Sequence, residues 1–111
     1  SDNDPIATVI ARQNAILNQV GARVTTVTAA GLAHPRLRAR QPYDLILANI
    51  LAAPLVRLAP AFMRALAPGG VLVLSGLLVE QSREVLGAYR SQGFRCRAKL
   101  ARGEWMTLVL S

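Results

Sequence analysis

Few side chains in this sequence are placed to do chemistry, and Asn49 is the foremost of them. It closes the strand in the run Tyr43-Asp44-Leu45-Ile46-Leu47-Ala48-Asn49-Ile50-Leu51-Ala52, where an almost wholly apolar stretch gives way to an alanine- and leucine-rich helix. Open α/β sheets bind their ligands at the carboxyl ends of parallel strands, so a polar side chain at that point faces a crevice. A carboxamide both donates and accepts hydrogen bonds. It can therefore hold a ligand's polar groups, and it can equally cap the helix that follows. The other candidates are more ordinary. Asp2 and Asp4 precede a helix start, where carboxylates suit the positive end of the helix dipole. His34 has no carboxylate or cysteine near it in sequence and reads as a loop residue. Cys96 is the single cysteine, which excludes an internal disulfide and a cysteine-based metal cluster, and it reads as a small core residue in a reducing cytoplasm.

The elements that must position Asn49 follow from periodicity. Asp4 as N-cap, Pro5 at the first helical position and apolar residues at Ile6, Val9, Ile10, Ile16 and Val20 predict a helix from Asp4 to about Val20, closed by Gly21. Arg23 to Thr28 is rich in β-branched residues and predicts a short strand, followed by a loop through Gly31, His34, Pro35 and Pro42. Asp44 to Ala48 is apolar on both faces, as a central parallel strand must be. A helix from about Ala53 to Leu66 ends in a Pro68-Gly69-Gly70 turn that leads into a strand from Val71 to Ser75. A helix from about Val79 to Ser91 precedes Phe94 to Leu100 and Trp105 to Leu110, two strands joined at Arg102-Gly103 as an antiparallel hairpin with Trp105 packed in its core. Strands alternating with helices predict an α/β domain with a mostly parallel sheet.

Composition limits what such a domain does. The chain has 111 residues, 52% of them hydrophobic, enough to bury a core within residues 1–111 as one domain or part of one. No apolar run approaches the roughly 20 uncharged residues of a membrane helix, and Ser1-Asp2-Asn3-Asp4-Pro5 lacks the order of a signal peptide. The net charge of +7 invites a nucleic-acid reading. Its distribution weakens that reading: Arg36, Arg38 and Arg40 share a loop, Arg95, Arg97 and Lys99 alternate along one strand, and the rest are scattered.

Parallel strands finished by an antiparallel hairpin depart from the ordinary dinucleotide-binding order and resemble the back half of the Rossmann-like methyltransferase fold. The residues sharpen this. Asp2-Asn3-Asp4-Pro5, Asn14-Ala15 with Asn18, the run from Asp44 to Ala52, Leu58-Ala59-Pro60, Leu66-Ala67-Pro68-Gly69-Gly70, Ser75-Gly76-Leu77 with Gln81, and Arg102-Gly103-Glu104-Trp105 occur in that order. Over essentially its whole length the chain resembles the ribosomal protein L11 methyltransferase family, bacterial enzymes that use S-adenosyl-L-methionine to methylate amino groups of a large-subunit ribosomal protein. The resemblance implies that Asp2 accepts hydrogen bonds from the cofactor ribose, that Asn49 faces the cofactor and the amine, and that Ile50 and Leu51 wall the pocket. It also implies a cytoplasmic protein substrate, with ribosomal RNA close by.

The same resemblance exposes what these residues lack. The glycine-rich loop that should lie roughly 20 residues before the ribose acid has no counterpart, nor has the family's separate N-terminal substrate domain. The chain therefore corresponds to the C-terminal portion of the catalytic domain. The fold's first two strands belong between Arg23–Thr28 and Asp44–Ala48, so the sheet is expected to carry a gap. Three outcomes stay open: a longer polypeptide fills it, the early strand pairs differently, or another chain covers the apolar edge, self-association included. Other functions also stay open. An RNA or small-molecule methyltransferase would use the same scaffold, and an inactive binding or assembly module would keep only the fold.

Overall fold

The computed structural model describes residues 23–28 and 42–111, and the expected helix from Asp4 to Val20 lies outside them together with Asp2, Asn14, Asn18, His34 and the Arg36–Arg40 cluster. The described chain forms strand β1 (Val24–Thr28), strand β2 (Tyr43–Asn49), helix α1 (Ala52–Ala65), the long strand β3 (Leu66–Leu78), a 3-10 turn (Val79–Gln81), helix α2 (Ser82–Ser91), and strands β4 (Cys96–Arg102) and β5 (Trp105–Leu110).

All five strands join in one sheet of order β1-β2-β3-β5-β4. β1, β2 and β3 run parallel, and β5 pairs antiparallel with both β3 and β4. The expected gap is absent. β1 pairs directly with β2 along its full length, from Val24 opposite Leu45 to Thr28 opposite Asn49. The physical reason is backbone satisfaction: strand N–H and C=O groups left facing a gap would lose their partners, and direct pairing restores them.

The two faces of the sheet differ. On one face Ile46, Ala48, Leu72, Leu74, Leu108 and Leu110 pack in the main core, together with Leu55, Ala59 and Phe62 of α1 and Val85, Leu86 and Tyr89 of α2. The spacing of the buried α1 residues, Leu55, Ala59, Phe62 and Ala65, is that of one helical stripe. Phe62 and Phe94 flank Tyr89, with ring centroids 6.4 and 5.5 Å from it. The opposite face carries Leu45, Leu47 and Asn49 of β2 beside Val71, Val73 and Ser75 of β3, by strand alternation and register.

Three local expectations need correction. β3 begins at Leu66, directly after α1, because Leu66 already pairs with Tyr43, and the register shifts between Tyr43 and Leu45. Pro68-Gly69-Gly70 thus lies within the strand as an irregularity, with Gly69 at a φ of 78°. β4 starts two residues later than expected, because the Phe94 N–H is tied back to the Tyr89 carbonyl at 3.2 Å and the Phe94 ring is buried. Trp105 is 50% exposed, not packed in the hairpin core. It opens β5 opposite Leu78 and Arg102 at the end of the sheet, and its alternation with buried Met106 turns it away from the helices.

Candidate functional site

The parallel pairing of the three strands ends level at Thr28, Asn49 and Ser75, which are register partners in turn. Together with Thr26, Leu47 and Val73, and the strand edges at Val27 and Ala48, they line a pocket of about 220 Å³. Thr26, Thr28, Asn49 and Ser75 border it, but its exposed lining is almost wholly apolar. Its walls at Leu47 and Val73 are apolar.

Asn49 is exposed at this point, between buried Ala48 and buried Ile50. The capping role left open by the sequence is not the one it takes. The N-cap of α1 is Leu51, with extended backbone and no side-chain cap, so the carboxamide is free of that duty. Ile50 secures the strand end by donating its N–H to the Ser75 carbonyl at 3.1 Å. Ser75 adds a long contact from its hydroxyl to the Ala48 carbonyl at 3.4 Å. Asn49 thus projects from backbone clamped on both sides.

Of the other residues singled out in sequence, Ile50 is 2% exposed and belongs to the main core, so its side chain turns from the pocket, while Leu51 is 65% exposed beside it. Asp2 lies outside the described residues. Gln81 is more than a helix-surface residue: its side-chain oxygen accepts the Leu78 N–H at 2.9 Å and fastens the turn after β3. Cys96 is half-buried against the core. Thr26 and Thr28 were not singled out, since their contribution depends on the direct β1–β2 pairing. The signal in the sequence was their period-two spacing toward a strand end.

On the core face of the sheet the two helices are joined by a buried tie. Tyr89 on α2 donates its hydroxyl to the Leu55 carbonyl in the first turn of α1 at 2.7 Å. Burial pushes the Tyr89 pKa well above the ordinary tyrosine range. Among the described residues there is no group of three His, Cys, Asp or Glu side chains that could hold a metal ion, and no helix long and apolar enough to cross a membrane.

A sequence model of the ribosomal protein L11 methyltransferase (PrmA) family matches residues 1–111. The chain belongs to that family. It is 50% identical over 108 residues to the ribosomal protein L11 methyltransferase of Chelativorans sp. strain BNC1, a match that covers 97% of this chain and 37% of the relative. Its identity to the Brucella abortus strain S19 protein of the same description is 46% over 111 residues, covering all of this chain and 39% of the relative. The chain therefore spans less than two fifths of these relatives. Among solved structures it is similar to a ribosomal protein L11 methylase from Lactobacillus delbrueckii subsp. bulgaricus, with a TM-score of 0.63 and 32% identity over 66% of this chain and 38% of that one. The Rossmann-like methyltransferase fold expected from the hairpin and strand order is the fold of that neighbour.

Proposed function

We propose that this chain is the C-terminal portion of an S-adenosyl-L-methionine-dependent methyltransferase domain that modifies lysine or N-terminal amines of a large-subunit ribosomal protein. Supporting the reading are the family membership and the short span against its relatives. The observation that carries it to particular residues is the exposed Asn49 carboxamide, clamped beside Ser75 at the pocket where parallel strands end.

The almost wholly apolar lining suits the less polar parts of such a cofactor, and the exposed Asn49 carboxamide at its border is available to a polar group. Asn49 would hold the cofactor's amino-acid portion, Leu51 would border it, the Ile50 backbone would back it, and Asp2 would take the ribose hydroxyls. When bound, the cofactor supplies an electrophilic methyl group on a sulfonium. The chain's own task is orientation. The Asn49 carboxamide oxygen accepts an N–H of the neutral amine, which aims the nitrogen lone pair along the direction of displacement. The reacting species is the neutral amine, so a lysine first gives up its proton to solvent, and the carboxamide need not act as a base. The net charge of +7 suits a substrate held close to ribosomal RNA, and such a substrate puts the enzyme in the cytoplasm. Any self-association would use the outer strands β1 and β4.

Calorimetry on the full polypeptide expressed from its own gene tests the assignment. Cofactor binding that weakens at least about tenfold in Asp2→Ala and in Asn49→Ala is expected. Wild-type affinity in both variants would overturn it. The coding sequence upstream of Ser1 tests the proposed extent, which requires a glycine-rich loop about 20 residues before Asp2.

A further inference from the structure

The backbone around Asn49 contains one position at which any side chain would meet the carboxamide. Gly76 follows Ser75 on β3 and has a φ of 86°, in the left-handed region that side chains other than glycine rarely adopt. It falls where the β3–β5 register shifts, between Leu74 and Leu77. A Cβ at Gly76 would stand 2.7 Å from the Asn49 Oδ1, 3.2 Å from the Ile50 carbonyl oxygen and 3.3 Å from the Ile50 nitrogen. The first distance is well inside carbon–oxygen contact, and the two backbone atoms close off retreat along the strand.

We infer that Gly76 is a positioning residue for Asn49: its bare backbone is the wall that the carboxamide rests against, and it sets the direction in which Oδ1 points. The inference rests on the reading of Asn49 as the amine-facing group. A glycine needed only for the irregularity in β3 would explain the φ, but it would not require the empty Cβ position to lie against the carboxamide. Gly69 shows the difference, since it also has positive φ, yet nothing lies within 4 Å of its Cβ position. Gly76 is held by two constraints and Gly69 by one.

A double-mutant cycle on the full polypeptide separates the two roles, with transfer of labelled methyl groups to ribosomal protein measured at saturating cofactor. Gly76→Ala is expected to lower kcat on the order of 100-fold, the loss typical of a misplaced reacting group, with a smaller change in KM. In an Asn49→Ala background the same substitution is expected to cost less than about threefold, because the displaced group is already gone. Gly76→Asn serves as the second variant. Asparagine tolerates positive φ better than alanine, so it adds the Cβ with less backbone strain, and it should lose kcat comparably. Equal losses from Gly76→Ala in both backgrounds, or wild-type kcat in Gly76→Asn, would overturn the positioning role while leaving Asn49 in place. Full activity of Asn49→Ala alone would remove the Asn49 reading and this inference with it.

Discussion

The Tyr89 hydroxyl donates to the Leu55 carbonyl at 2.7 Å across the packed helices, and both residues are fully buried. This bond joins α2 to the first turn of α1, only four residues past Leu51, and so steadies the segment that carries Asn49. Tyr89→Phe should lower stability by about 1 kcal/mol, the net worth of a typical hydrogen bond. A thermal melt would register this as a fall of several degrees.

The same substitution has a pH signature. Burial raises the Tyr89 pKa, so the folded state keeps a proton that the unfolded chain releases above about pH 10. The contribution to stability is complete below that pH and declines as the pH rises toward the folded value. Urea melts of wild type and Tyr89→Phe should therefore converge as the pH passes above about 10, the variant lacking this alkaline decline. Parallel curves for the two proteins would show that Tyr89 titrates normally.

Phe62→Ala should be the most damaging of the simple core truncations. The ring is fully buried between α1, α2 and the sheet, so the loss combines transfer and cavity terms of about 3–5 kcal/mol. That is a large share of the stability of any small domain. A shift of the urea midpoint no larger than that of an exposed substitution such as Arg57→Ala would contradict the packing described for this face.

Trp105, the single tryptophan, reports on the opposite face. At 50% exposure its fluorescence should be readily quenched by iodide in the native state, and Trp105→Ala should cost far less than Phe62→Ala. Native fluorescence shielded from iodide would place the indole in a packed core after all.

The course of these elements was partly legible in the sequence. β1, β2, β5 and both helices follow their local periodicity, and Asn49 stands out because a polar side chain ends an apolar strand. What escaped was decided by partners distant in sequence. Nothing near Leu66 announces that it pairs with Tyr43 and draws Pro68-Gly69-Gly70 into β3. Trp105 looks like a core aromatic until β5 is laid against Leu78 at the sheet's end. The direct β1–β2 pairing, which brings Thr26 and Thr28 to the pocket, is likewise a long-range choice.

The proposed orienting role has its own pH consequence. The reacting amine must be neutral, so for a lysine substrate the rate should climb with pH toward the amine's pKa of about 10.4. Asn49 does not titrate in this range. Asn49→Ala should lower the whole profile without moving its midpoint, and a displaced midpoint would mean that the carboxamide acts on the amine's protonation.

The most direct test of the central claim follows labelled methyl groups from S-adenosyl-L-methionine onto ribosomal components, with the full polypeptide as wild type and as Asn49→Ala. The account predicts label on amino groups of a large-subunit ribosomal protein, reduced on the order of 100-fold in the variant. Label confined to RNA, or equal transfer by the two proteins, would contradict it.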